Sequence, residues 1–499
     1  MWALIARAAA AALATLGLAG GCALTPQRGP GAAGGATAAA TAATVPPRAP
    51  AAAMRPETAA VKVHDDRGTL APADEARALA RVKAEGRASL VEHHLRVLAA
   101  TGEVDLYRDN RTKLLVDGPA TLAAMKAAIA RARTRVLLES YIIDDGAVAD
   151  EMARLLAAKA REGVQVAVLY DAVGSVTTDG KFFDNLAAAG VAVCKFNPIN
   201  PLERPGYWGI NHRNHRKVLV VDNELAFTGG INIARAYSSG SSGGSSGSSG
   251  PSGSSGVGGS SKNADDKAKD EGWRDTHIEL AGPVVEAIAR GFTRVWGSQG
   301  CGAAIREAPA PARAAPGERI VKVIESDPRE SDNRIYDALL AAVSAARRSI
   351  HLSMAYFAPG QEMVQALADA ARRGVEVGLL LPGRSDFALV LHAGRSYYEQ
   401  LLAAGVRIHE MPDAVMHAKT AVIDGVFSTV GSSNMDWRSL VANNEINVIV
   451  LGDDFGAELE RLFERDVKRS EVITLGAWRE RGWWQRVKEA VGRAAERWL

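Results

Sequence analysis

The chain has 499 residues, more than one ordinary domain holds, so two core-bearing units are expected. Hydrophobic residues make up 47% and charged residues 23%, a globular balance that excludes a wholly disordered chain. A net charge of +2 excludes a surface built throughout to grip nucleic acid, while leaving room for a local basic pocket.

The first stretch, MWALIARAAAAALATLGLAGGCALTP, carries one early charge, Arg7, then an apolar run, then small residues around Cys22. This reads as a secretory signal over 1–22, too short and too rich in small residues for a permanent span. Cys22 directly after LAGG resembles a bacterial lipoprotein processing site, at which the cysteine becomes a lipid-bearing N-terminus. Leu18 stands four residues before it instead of the usual three, and ordinary cleavage near Ala23 is the competing reading. Residues 23–70 are mostly Ala, Pro, Gly and Thr and read as a flexible tether. The other two cysteines, Cys194 and Cys301, have no metal-ligand spacing. We read them as two buried thiols, with a bond between them as the alternative.

From 71 onward the chain repeats itself. The first half, 71–305, contains TLAAMKAAIARARTRVLLESYIIDD followed by a helical stretch and VQVAVLYD. The second half, 319–470, contains RIYDALLAAVSAARRSIHLSMAYFAP followed by a helical stretch and VEVGLLLP. Each reads helix, strand ending at a tyrosine (Tyr141, Tyr356), helix, Gly-Val turn, apolar strand. Continuous apolar strands joined by helices predict α/β domains with parallel, doubly covered sheets. A period near two hundred residues is a duplicated domain, not a solenoid. The Ser/Gly-rich run at 238–261 reads as a loop inserted in the first half, and 306–318 as the linker. The last segment, 471–499, carries Trp484, Val487, Val491, Ala494 and Trp498 at helical spacing with Arg and Lys between them. Such a helix lies in a membrane interface or packs on the body.

The two halves share one chemical pattern. NHRNHRKVLVVDNELAFTGGIN holds His215, Lys217 and Asp222, and ends at Asn232. MHAKTAVIDGVFSTVGSSN holds His417, Lys419 and Asp424 at the same spacing, and ends at Asn434. On a strand, residues i and i+2 share a face, so each histidine points with its lysine. If the halves pack face to face, two imidazoles, two ammoniums and two amides converge. That pocket suits a phosphoryl group: cations and amides hold its oxygens, one histidine attacks, and the other protonates the leaving oxygen. A lone His-x-Lys is usually a surface pair; its duplication at equal distance from small residues and an asparagine is not. His212 and Arg213 read as rim or loop residues. No Asp, Glu, Cys and His cluster has metal-cage spacing, so neither metal nor cofactor is expected.

These motifs, with GWRDTHIELAGPVV and WRSLVANNEINVIV, resemble the phospholipase D superfamily, and within it the bacterial cardiolipin synthase branch. The similarity runs from about Leu95 to the C-terminus, leaving out the tether and the Ser/Gly loop. It implies duplicated α/β sandwich domains packed about a pseudo-two-fold axis with one shared active site. It implies His215 as nucleophile, His417 as acid and then base, and Lys217, Lys419, Asn232 and Asn434 as phosphate ligands. Asp222 and Asp424 complete the motifs by bracing strands and turns. Asp275 and Glu445 would orient the rings across the halves, Glu445 on His215 and Asp275 on His417.

The expectation is then a membrane-associated phosphatidyltransferase working through a phosphohistidine. Two phosphatidylglycerol molecules would give cardiolipin and glycerol. Water at the same intermediate gives a phospholipase D; a nuclease or a non-catalytic lipid-binding scaffold are further alternatives. The near-neutral charge and the lack of basic–aromatic stripes count against nucleic acid as a partner. The leader places the protein beyond a bacterial inner membrane, as a lipoprotein or a peripheral protein facing the periplasm. Many relatives of this branch begin with two membrane-spanning helices, which this chain lacks beyond its leader.

Overall fold

In the computed structural model, residues 61–84, 88–102, 104–200, 211–241, 272–302, 305–306, 317–330 and 333–496 are described. The leader with Cys22, residues 23–60 of the tether, most of the Ser/Gly loop and of the linker, and Trp498 lie outside the described residues; the stretch 61–70, read as the end of the flexible tether, instead holds two short strands. In chain order come β1 (Val61–Asp65), β2 (Gly68–Thr69), α1 (Pro72–Ala84), α2 (Ala88–Thr101), β3 (Val104–Val116), α3 (Asp117–Arg131), β4 (Arg135–Ser140), α4 (Ala147–Arg161) and β5 (Gln165–Asp171). There follow α5 (Gly180–Ala188), β6 (Ala192–Phe196), β7 (Arg213–Asn214), β8 (Val218–Val221), β9 (Leu225–Gly229), β10 (Thr276–Ala281) and α6 (Val284–Ser298). The second half continues with β11 (Arg319–Ser326), α7 (Arg334–Ala345), β12 (Ser349–Met354), α8 (Gly360–Arg372), β13 (Glu376–Pro382), α9 (Ala388–Arg395), α10 (Tyr398–Ala403), β14 (Arg407–Met411) and β15 (Lys419–Ile423). It closes with β16 (Phe427–Gly431), α11 (Trp437–Val441), β17 (Asn443–Leu451), α12 (Asp453–Val467), β18 (Glu471–Ile473), α13 (Leu475–Arg479) and α14 (Trp483–Ala495).

The duplication is written in the strand order. The first sheet runs β3-β10-β9-β8-β4-β5-β6. The second runs β11-β17-β16-β15-β12-β13-β14, with β18 added at its edge. Within these two strand orders only β4-β5-β6 and β12-β13-β14 are parallel, so the sheets are mixed and not the all-parallel ones expected. The cause is local. The apolar run after each His-x-Lys folds straight back as a hairpin, through turns in which Asp222, Asn223, Asp424 and Gly425 hold left-handed φ of 54°, 57°, 56° and 67°. Asn, Asp and Gly are the residues that tolerate that conformation.

The two halves close on one core. Val218, Val220 and Ile278 from the first sheet meet Val422, Val430 and Ile446 from the second, with Phe292 of α6 and Phe455 of α12 among them. All the described residues belong to one compact unit, Met54–Leu499.

Two further expectations need correction. The described residues of 71–102, read as part of the first half, pack on the second: Ala78, Leu90, Val91, Leu95 and Leu98 share a core with Leu339, Leu352 and Phe427. The boundary falls inside β3. Its start pairs with β1 and β11, Asp109 bends it at φ 60°, and its remainder pairs with β10. Cys194 and Cys301, read as thiols, form a disulfide with a Cα separation of 5.7 Å. The end of α6 brings Cys301 over β6, a contact that spacing cannot reveal. The C-terminal helix α14 packs on α9, where Gly492 lies so close that a Cβ would come within 2.5 Å of the Ala393 nitrogen. Among the described residues no helix is long and apolar enough to cross a membrane.

Candidate active site

Each histidine is delivered by a crossing of the two halves. Before β8 the chain runs beside β17 in parallel register, Arg213 opposite Asn443 and Asn214 opposite Asn444. The Arg213 and His215 amides donate to the Ala442 and Asn444 carbonyls. On the other side, Arg274 bridges Met416, and the His417 amide donates to the Arg274 carbonyl at 2.7 Å. So His215 sits beside the residue preceding Glu445, and His417 beside the residue preceding Asp275. The backbone register itself pairs each ring with the other half's acid.

The side chains follow. His215 Nδ1 lies 3.0 Å from Glu445 Oε1, and His417 Nδ1 lies 2.7 Å from Asp275 Oδ2. A carboxylate only accepts, so Nδ1 carries the proton in each ring and Nε2 is left for chemistry. Ser432 Oγ donates to Glu445, and the Thr276 amide donates to Asp275. Here the small residues ahead of each asparagine acquire a purpose. A Cβ on Gly230 would stand 2.1 Å from Asp275 Oδ1, so only glycine admits that carboxylate. At the equivalent place the second half uses the Ser432 hydroxyl to hold a longer acid.

Lys217 and Lys419 each donate to the carbonyl of their own histidine. Lys419 Nζ also lies 3.0 Å from His417 Nδ1, and Lys217 stands over the Tyr141 ring. All four groups are buried. The strand-face argument holds only in part, since β8 begins at Val218 and His215 and Lys217 precede it. Asn232 accepts from the Ile142 amide and donates to the Tyr237 hydroxyl. The Asn434 side-chain oxygen is buried without a hydrogen-bond partner among the described residues.

Burial dominates the electrostatics. It pushes His215 down to about 4, with Glu445 opposing and Lys217 assisting. Burial lowers Lys217 to about 7 and Lys419 to about 8, against the pull of Glu445 and Asp275. His417 falls well below its ordinary value through burial and the Lys419 charge. Burial raises Asp275 to about 6. For Glu445 burial works upward, but His215 and Lys217 outweigh it and keep the carboxyl low. Lys419 acts on His215, while Lys217 and His215 act on His417, so the two halves form one electrostatic site. In the resting site both rings are neutral and both acids are charged near neutral pH.

Asp222 and Asp424 are not brought into this cluster. Asp222 takes the Arg133, Thr134 and Arg135 amides, and Asp424 takes the Arg347, Arg348 and Ser349 amides. They tie each hairpin to the start of β4 or β12, and His94 of α2 adds a 2.9 Å contact to Asp424. Arg213, read as a rim residue, is instead 2% exposed and lies 3.6 Å from Asp171. Arg216 likewise turns back, to Glu139 and Glu325. The basic run therefore divides: His215 and Lys217 serve the site, and the two arginines brace it.

Sequence reasoning missed Tyr237. Its hydroxyl lies 3.1 Å from His417 Nδ1, and burial keeps it protonated. Tyr141 stands 5.0 Å from the His215 ring; Trp273 and Tyr356 stand 4.9 and 6.3 Å from that of His417. The tyrosines closing the two repeated strands were the available signal for this aromatic wall. Tyr356 donates to Asp386 at 2.7 Å. Among the described residues no group of three or more His, Cys, Asp or Glu side chains is placed to hold a metal ion.

Comparison with known proteins follows the same lines. A family model described as cardiolipin synthase, phospholipase D-like domain, matches residues 125–240 and 339–467. A cardiolipin synthase of Halalkalibacterium halodurans is 31% identical over 389 residues, which cover 77% of this chain and 71% of that protein. One of Geobacillus kaustophilus is 31% identical over 401 residues, covering 80% and 74%. The crystal structure of phosphatidylserine synthase from Haemophilus influenzae matches with a TM-score of 0.55 at 12% identity, over 78% of this chain and 92% of that one. The last likeness is one of fold.

Proposed function

Because this chain belongs to the phospholipase D superfamily, in its cardiolipin synthase-like branch, we propose that it transfers a phosphatidyl group between phospholipid head alcohols through a phosphohistidine. It is an enzyme of the phosphatidyltransferase and phosphodiesterase type. The observation that carries the reading is the crossed pair, His215 on Glu445 and His417 on Asp275, with a lysine bonded to the backbone carbonyl of each histidine.

The chemistry follows from those positions. His215 Nε2 attacks phosphorus; an N–P bond forms and the P–O bond to the head alcohol breaks. His417 gives that oxygen its proton. His417 then takes the proton of the second alcohol, whose oxygen displaces His215. Lys217, Lys419, Asn232 and Asn434 hold the non-bridging oxygens as charge builds. His417 is neutral in the resting site, so its acid role depends on substrate. An incoming phosphodiester anion adds opposite charge beside the ring and raises its pKa. With phosphatidylglycerol as donor and acceptor, the products are cardiolipin and glycerol.

The same reading places the enzyme outside the inner membrane, tethered through Cys22. The Cys194–Cys301 disulfide supports an oxidising compartment. A rapid alkaline quench during turnover tests the intermediate. A phosphatidyl mass increment on the peptide containing His215, absent from His215→Ala along with all turnover, is expected. An increment on the His417 peptide would reverse the roles. Turnover in His215→Ala at near parental rate would remove His215 from them.

A further inference from the structure

Helix α14 presents two opposed faces. One is fastened to the body. Glu489 is buried and takes Arg481. Gly492 packs on Ala393, and Glu496, just past the helix, accepts from the Tyr397 hydroxyl and the Gly360 amide. Arg493 stacks over the Tyr397 ring at 3.9 Å. The other face is exposed among the described residues. Trp483 is 73% exposed, Trp484 57%, Val487 39% and Val491 50%. These are four of the eight large apolar side chains left exposed among the described residues, so the patch is local and not a general property of the surface.

At about 100° per residue, Trp483, Val487, Val491 and Trp484 fall within an arc of about 100° on the helix circumference, and Ala494 falls among them. Gly492 and Glu489 lie opposite. Lys488 borders the apolar arc on one side; Arg486 and Arg493 border it on the other. With Arg479 just before the helix there are four exposed cations, of which Arg479 also pairs with Glu399 and Arg493 with Glu496, and one exposed acid, Glu480. Aromatic and aliphatic side chains flanked by Lys and Arg are the chemistry that enters the boundary of an anionic bilayer. A protein partner would not require the cations on both flanks.

The patch is also well placed. Helix α14 packs on α9, which begins two residues after Asp386, the acid bonded to Tyr356 beside His417. Its C-terminal end shares a cavity of about 390 Å³ with Trp437 and Leu440 of α11, the helix that follows Asn434. We propose that the outward face of α14 docks this enzyme on an anionic phospholipid surface, inserting Trp483, Trp484, Val487 and Val491 and bringing the His417 side of the site towards its lipids. Docking is independent of the tether at Cys22 and of the reaction assigned above.

The test uses the full chain carrying Cys22→Ala, so that no lipid tether contributes, and sedimentation with vesicles. Phosphatidylglycerol vesicles are expected to retain the parent at least about tenfold more strongly than phosphatidylcholine vesicles, and less so as salt rises. A Trp484→Asp, Val487→Asp double variant is expected to lose at least about tenfold in retention while keeping the parental thermal midpoint, since both side chains face solvent. Parental retention of that variant would overturn the proposal. So would equal retention on both lipids, or a parental dimer that the variant dissolves without any vesicle binding. Because retention is read without turnover, loss of the docking claim and loss of the phosphatidyl-transfer claim are separate results.

Discussion

Glu445 is bonded to His215, Ser432 and Asn443 and buried from solvent. Removing its charge while keeping its shape should leave His215 in place but in the wrong tautomer. Glu445→Gln is therefore expected to lower the rate of head-alcohol release at least about a hundredfold with little change in folding. A second prediction at this scale is the pH profile. His215 held down to about 4 stays neutral and nucleophilic until pH falls to that value. Lys217 and Lys419, at about 7 and 8, lose their charge as pH rises through those values. The kcat/KM profile should be bell-shaped, with an alkaline limb between 7 and 8 and an acid side on which Asp275, raised to about 6, protonates before His215 does near 4, each limb belonging to the coupled group. Activity unchanged from pH 7 down to 4 would mean that the Asp275 charge is not needed to orient His417. These residues were legible because the motif occurs twice at identical spacing. Tyr237 was not, because it lies outside both repeats' common pattern. Arg213 was misjudged because a basic residue in a basic run gives no sign of the buried Asp171 it meets.

At the scale of the element, the hairpin turns carry the third prediction. Asp424 is fully buried and satisfies three backbone amides with one carboxylate. Burial opposes its charge, yet His94 and those amides hold it below the ordinary carboxylate value. Asp424→Ala strands the amides and should cost about 3 kcal/mol. The expected signature is a lowered unfolding midpoint with His215 adduct formation retained at low temperature. Loss of the adduct in folded protein would instead put Asp424 in the chemistry. The strands themselves were readable, since β5 and β13 carry the apolar runs VAVLY and VGLLL and β4 and β12 lead up to them after a helix in each repeat. Their direction was not: one apolar run looks the same in parallel and antiparallel pairing, and only the left-handed turns at Asp222 and Asp424 decide it. Gly230 offers a sharper element-scale check. Gly230→Ala should push Asp275 off His417 and cut turnover with a much smaller loss of stability.

For the whole molecule, the pairing of halves is what makes a site. Neither sheet alone holds a histidine with its acid. The repeat predicted two like halves, and the crossed hydrogen bonds are the consequence of their shared core. The boundary between them was hidden inside β3, a strand that serves both sheets. The disulfide closes a loop with a sequence separation of 107. Cys301→Ser should therefore lower oxidised stability by about 4 kcal/mol, and change nothing once the parent is reduced. The measurement that bears most directly on the central claim is made with the purified full chain in phosphatidylglycerol vesicles, separating the lipid products by mass. Cardiolipin and free glycerol in equal amounts, both lost in His215→Ala, are predicted. Phosphatidic acid as the sole lipid product, or no product with both histidines intact, would contradict it.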